Sequence, residues 1–309
     1  MDKILKAVII GANSYIARNM IAVLQNHKNI EITALYDYQE SFIDALIYFN
    51  GLMKYSKINI LDTKTIYKLN LDVDLIFFFS GKTGTSSGFE DYEVFIDVNE
   101  KGLLNLLTEY RYQKSKAKII FPSTRLIYKG AQEKLSEDAE KEFKTVYAVN
   151  KFACEEYLKM YKNVYGVRYC IFRICVPYGT LVSGASSYGT AEFMINRANQ
   201  GENIILFGDG STRRTLTYIE DLCESIIHGS LSPQGENDVF NIGGEDYCLK
   251  EMATLIAEKY GVSVDYTQWD DMALKIESGD TVFNSDKLDN IIEYERNMTF
   301  ERWITEYFR

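Results

Sequence analysis

Leu5-Lys6-Ala7-Val8-Ile9-Ile10-Gly11-Ala12-Asn13-Ser14-Tyr15-Ile16-Ala17 is the stretch on which the fold turns. Leu5 to Ile10 is a short run, apolar except for Lys6, as a central parallel strand covered on both faces requires. A glycine follows, and a helix is expected from about Ser14 to Gln25. A dinucleotide turn uses glycines for a tight bend, close pyrophosphate approach and close helix packing. Only Gly11 is a glycine; Ala17 is tolerable at the packing position, and Ser14 narrows the approach while offering a hydroxyl. Free N–H groups at the helix start suit an anion. An ordinary strand–turn–helix has the same text.

The pattern repeats outward. Glu31–Tyr36, Ile58–Leu61, Asp74–Phe79, Lys118–Phe121 and Tyr169–Arg173 read as strands, with a long amphipathic helix at Tyr92–Tyr110. Alternating strands and helices indicate an α/β fold, a doubly wound parallel sheet of the Rossmann kind. Ligands then bind beyond the carboxyl ends of the strands. Asp37 closes the second strand, 26 residues after Gly11. A carboxylate there can accept from ribose hydroxyls and repels a 2′-phosphate, which favours NAD over NADP. A solvated loop aspartate is the competing reading.

After Cys175 the pattern loosens. Ser183–Thr190 reads as a loop, Asn203–Leu206 as a strand, Val239–Ile242 as a strand rejoining the sheet, and the remainder as mostly helical. The expected organisation is a Rossmann domain over 1–175, rejoined by about 218–243, and a smaller mixed α/β substrate-binding cap over 176–217 and 244–309.

Composition narrows the function. The chain has 309 residues and a net charge of −10, and no basic block interleaves with aromatics, which argues against nucleic acid. Five cysteines without a Cys-x-x-Cys pair and two isolated histidines, His27 and His228, leave no metal cluster. No apolar run reaches membrane-spanning length and the amino terminus does not read as a signal peptide, so a cytoplasmic protein is expected.

Tyr147 and Lys151 stand four apart, 23 residues after Thr124 for the first. Positions i and i+4 share a helix face. Lys151 is therefore expected to bring a positive charge toward the phenol and help to lower a pKa that is ordinarily near 10. The same interval recurs at Tyr110/Lys114 and Tyr112/Lys116, in a polar stretch that reads as a solvated helix end. The strand before Ser123 and Thr124 sets Tyr147 apart.

Together these residues resemble the extended short-chain dehydrogenase/reductases, the NAD-dependent nucleotide-sugar epimerase/dehydratase group. Phe79-Ser80-Gly81, Asp97-Val98-Asn99-Glu100-Lys101-Gly102, Ser123-Thr124-Arg125-Leu126-Ile127-Tyr128, Arg173-Ile174-Cys175-Val176-Pro177-Tyr178-Gly179, Gly208 to Arg214, Tyr218 with Asp221, and Asn241-Ile242-Gly243 follow the family's order. The resemblance implies Thr124, Tyr147 and Lys151 as catalytic residues. It implies NAD held by Gly11, Asn13, Ser14, Tyr15, Ile16, Asp37, Asn59, Ile60, Phe79, Ser80, Gly81, Asn99, Tyr147, Lys151 and Cys175. Substrate contacts would come from Thr124, Val176 and Arg214, with Arg214 clamping the diphosphate bidentately and Arg213 the alternative. Ser123 suits a turn-stabilising role, and Lys82 either cofactor phosphate or solvent. Val176 replaces the usual Asn at the diphosphate, and Thr215 a common acidic residue. Arg125 and Leu126 stand where dehydratases put Asp-Glu, which disfavours a 4,6-dehydratase.

The implied function is an NAD-dependent nucleotide-sugar epimerase acting at C4 on a nucleotide-diphosphate sugar. A 4-keto-sugar reductase or sugar 4-dehydrogenase would use the same residues, and a non-catalytic nucleotide-binding protein could share the fold. A homodimer is expected through helices near 92–110 and 147–163, with Tyr157 and Leu158 on the exposed face.

Overall fold

The computed structural model describes residues 3–41, 54–185, 187 and 189–307. In chain order its strands are β1 (Leu5–Ile10), β2 (Ile30–Asp37), β3 (Lys54–Lys57), β4 (Leu75–Phe78), β5 (Lys118–Thr124) and β6 (Arg168–Ile174). Then come β7 (Val176–Tyr178), β8 (Ile204–Phe207), β9 (Arg213–Tyr218), β10 (Asp238–Asn241), β11 (Glu245–Cys248) and β12 (Val264–Thr267). The longer helices are α1 (Tyr15–Leu24), α2 (Gly102–Tyr112), α3 (Val146–Tyr165), α4 (Thr190–Asn199), α5 (Ile219–Leu231) and α6 (Leu249–Tyr260).

Seven strands form one parallel sheet in the order β10-β6-β5-β4-β1-β2-β3. Alternate side chains of each strand leave opposite faces. Ala7 and Ile9 join the layer under α1 and α5, while Val8 and Ile10 join the layer under α2 and α3. Both faces are therefore apolar, and the alternation that marks a one-sided sheet is absent from β1. The strand order reverses between β1 and β4, which opens a crevice at their carboxyl ends. Smaller sheets, β11-β9-β7 and β12-β8, lie outside this frame.

Three expectations are corrected. The third strand is Lys54–Lys57, not Ile58–Leu61. β2 ends at Asp37, whose carbonyl accepts from Ile58, so no partner remains beyond Lys57. Two lysines suit a sheet edge. The helix over 92–110 is broken: Tyr92–Phe95 runs into a π-helical turn, Ile96–Lys101, before α2 begins. The segment after Gly243 is not mostly helical, because β11 and β12 interrupt it. The expected loop at 183–190 is described except for residues 186 and 188, which lie outside the described residues.

Candidate active site

Gly11 sits where β1 and β4 part, with φ +83°, and a Cβ there would lie 2.4 Å from the Ser80 nitrogen. Only glycine meets both the left-handed backbone and that approach. The Gly11 and Ala12 amides donate to the Tyr36 carbonyl, and the Asn13 amide donates to the Asp37 carboxylate at 3.0 Å. Asp37 also accepts from the Gln39 amide at 3.1 Å and is 6% exposed. It therefore shapes the turn as well as ending β2.

Ser14 is the N-cap of α1, yet its hydroxyl makes no capping bond. That oxygen is buried and has no hydrogen-bond partner among the described residues. A buried hydroxyl with no partner is costly, and an anionic oxygen at the helix start would satisfy it. The turn thus fits a dinucleotide's pyrophosphate despite the lost glycine. The side chain of Tyr15 is otherwise engaged: its hydroxyl donates to the Gly179 carbonyl at 2.6 Å and ties α1 to the turn after β7. Ile16 packs against the core, and Ile60 is buried with its Cγ2 3.1 Å from where a Gly102 Cβ would sit. Asn59 is exposed, its side-chain oxygen accepting from Leu61.

Across the crevice, Phe79, Ser80 and Gly81 continue from β4. Asn99, in the π-helical turn, clamps them: its Oδ1 accepts from the Lys82 amide at 2.8 Å and its Nδ2 donates to the Lys82 carbonyl at 3.1 Å. An extra residue in a helix turn re-aims a side chain, and here it aims Asn99 at a loop. Lys82 itself is exposed.

α3 carries the central pair. Thr145 caps it by accepting from the Ala148 amide at 3.1 Å, which places Tyr147 in the first turn. The Lys151 ammonium donates to the Pro122 carbonyl at 2.6 Å and lies 4.3 Å from the Phe121 ring centre, at the carboxyl end of β5. Among the described residues the Tyr147 hydroxyl makes no hydrogen bond. Crowding by protein holds its phenol well above the ordinary value, and Cys154 adds a smaller push. Burial also lowers the Lys151 ammonium to about 8, against smaller opposing effects of Cys154 and Glu155. Desolvation thus outweighs the expected lowering of Tyr147 by Lys151. Thr124 Oγ1 accepts from the Leu126 amide at 3.3 Å, which leaves its proton free to donate.

Below the rim lies a buried ionic network. Glu155 pairs bidentately with Arg173, at 3.0 and 2.6 Å, with the two side chains 0% and 3% exposed. Ser123 donates to Glu155 at 2.5 Å, and Arg173 donates to the Tyr128 hydroxyl, which donates on to Asn241. Burial opposes the Arg173 charge, but Glu155 outweighs it and holds the guanidinium above its ordinary value. Arg214 is 2% exposed and already bonded, to Glu277 at 2.5 Å and the Gly279 carbonyl at 2.5 Å. Arg213 instead bonds Asp246 near the surface. The Val176 side chain packs in the core, and the Cys175 thiol donates to the Thr281 carbonyl at 3.3 Å.

A sequence profile described as the NAD dependent epimerase/dehydratase family matches residues 7–243. The chain belongs to that family. It is 26% identical over 204 residues to a putative UDP-glucose 4-epimerase of Methanocaldococcus jannaschii, covering 65% of each chain. It is 29% identical over 182 residues to a UDP-glucuronate 4-epimerase of Thermodesulfobacterium geofontis, covering 59% of this chain and 54% of that one. The chain spans less than two thirds of the length of these curated relatives. In fold it is similar to the UDP-glucuronic acid 4-epimerase of Bacillus cereus, solved with UDP-glucuronic acid and NAD, with a TM-score of 0.84, 19% identity, and coverage of 97% and 96%.

Within this epimerase/dehydratase chain, the motif residues divide. Gly11, Asp37 and Asn99 frame the crevice, and Thr124, Tyr147 and Lys151 lie on the β5 rim and the α3 face above it. Tyr128, Arg173 and Asn241 meet beneath it, where they join β5, β6 and β10. Glu155 was missed by the sequence reading. Its signal was its place four residues after Lys151 and eight after Tyr147, on the same helix face.

Proposed function

We propose that the protein is an NAD-dependent nucleotide-sugar epimerase that transiently oxidises a sugar hydroxyl at C4. The observation that carries this is the Tyr147 hydroxyl, unpartnered among the described residues, one helical turn from a Lys151 ammonium fixed on the β5 rim. Bound dinucleotide supplies the hydride acceptor and donor. Tyr147 removes the proton from the sugar oxygen and gives it back at the end of the cycle. Thr124 donates to that oxygen and orients it. Lys151 provides the nearby positive charge that a phenolate needs. The Gly11–Ser14 turn, Asp37 and the Phe79–Gly81 turn hold the dinucleotide, and Asn99 stiffens the last of these. Names of the relatives, among them UDP-glucose and UDP-glucuronate 4-epimerases, support the class and the position.

Organisation into a dinucleotide-binding body over 1–175 with 218–243, and a substrate cap made of the rest, belongs to the same reading. So does a homodimer. Leu158 is not part of its face: it is 0% exposed in the core below α3, in phase with Cys154. Tyr157 is bonded to Glu100. Val149, Met160 and Val164 on α3, and Tyr92, Val94 and Ile96 in the segment before α2, are exposed apolar side chains available to such a face.

Incubation with UDP-glucose, UDP-glucuronic acid and UDP-N-acetylglucosamine without added NAD, followed by NMR of the sugar, tests the reading. A C4 epimer is expected from one of them. In Tyr147→Phe turnover should fall roughly 10²–10⁴-fold while NAD still co-purifies. An undiminished rate in that variant would remove the phenol from the reaction.

A further inference from the structure

Arg125 directly follows Thr124 and extends from the carboxyl end of β5. Its guanidinium donates to two neutral hydroxyls, Ser278 at 3.0 Å and Thr281 at 3.4 Å, both from one Nη1. Among the described residues no carboxylate forms an ion pair with it. The acid closest in role, Glu277, is taken by Arg214 at 2.5 Å. Thr281 Oγ1 also lies 3.7 Å from the thiol of Cys175, which directly follows Ile174, the β6 residue paired with Thr124. Among the described residues one positive charge is thus left without an ion pair just past the carboxyl end of β5, next in the chain to Thr124. Burial, and Arg214 close by, push it down to about 10 against smaller opposing effects of Cys175 and Glu277, so on balance the protein around it opposes the charge. A half-buried guanidinium with unspent donors calls for an anionic partner.

We propose that Arg125 is the counter-ion for a carboxylate on the sugar ring, so that the substrate is a nucleoside-diphosphate uronate rather than a neutral hexose. The inference rests on the nucleotide-sugar reading above and narrows its substrate. The diphosphate is a poorer match, because Arg125 leaves the chain next to Thr124, whose hydroxyl would hold the sugar.

Calorimetry on the NAD-loaded full chain with UDP-glucuronic acid, UDP-glucose and UDP decides it. Wild type should bind the uronate at least tenfold more tightly than UDP-glucose. Arg125→Gln should weaken the uronate roughly 30- to 1000-fold and the other two less than threefold, and Arg125→Lys should restore part of the loss. Equal weakening of all three ligands would assign Arg125 to the diphosphate or to the fold, and overturn the proposal. So would a wild-type preference for UDP-glucose, which decides the matter even if Arg125→Gln fails to fold. Uronate selectivity without turnover would leave the inference standing and sink the epimerase reading; turnover of UDP-glucose without uronate preference would do the reverse.

Discussion

Lys151 shows how one buried residue exchanges stability for a charge at the rim. Its folded pKa, about 8, is below its ordinary value, so the folded state resists the ammonium. The sign follows: below pH 8 the folded protein carries the desolvated charge at a cost, and that cost is lifted as pH rises from about 8 to about 10.4, where the unfolded lysine titrates. Lys151→Met has no such cost. Its stability advantage over wild type should be largest near pH 7 and shrink by about 3 kcal/mol across that window. Urea unfolding at several pH values measures this, and a difference independent of pH would contradict the buried charge. Ser14 is the complementary case. Its buried hydroxyl makes no bond among the described residues, so Ser14→Ala should raise the stability of the cofactor-free protein by about 1–3 kcal/mol but weaken NAD binding several-fold, readable by fluorescence titration.

At the scale of elements, α3 has sharp ends with separate jobs. Thr145 starts it and so sets the phase that puts Tyr147, Lys151 and Glu155 on one face. Gly166 ends it in the left-handed region, φ +70°, with open space where a Cβ would go. Gly166→Ala should therefore cost about 1 kcal/mol by backbone strain alone, with KM unchanged. A change in KM would mean that the helix end communicates with the site. The π-helical turn before α2 is less forgiving. Asn99→Ala strips two bonds from the 79–82 turn, and a loss of 1–3 kcal/mol is expected, with a matching fall in NAD affinity.

For the whole molecule, the Glu155–Arg173 pair fastens α3 to the sheet. Removing one partner leaves a buried charge uncompensated, which typically costs about 3–5 kcal/mol. Glu155→Ala should show this in chemical denaturation, whereas a loss under 1 kcal/mol would mean the pair is not buried in solution. The homodimer face belongs at this scale too: light scattering should report two copies, and Val149→Glu with Val164→Glu should give one.

Local sequence was enough for the parallel sheet, because strands covered on both faces leave continuous apolar runs such as Ala7–Ile10 and Leu75–Phe79, each followed by a helix. It was enough for the tight turn at Gly11 and for the helix that carries Tyr147 and Lys151 one turn apart, because turns and shared helix faces are matters of a few neighbouring residues. Only the tertiary structure decided which charges meet. Glu155 finds Arg173, Arg214 finds Glu277, and Arg125 is left without an ion pair among the described residues, through contacts spanning 18, 63 and, for Arg125 to Ser278, 153 residues of chain. Spacing along the chain carries no record of such encounters; burial, which makes an unpaired charge expensive, is created only when the layers close.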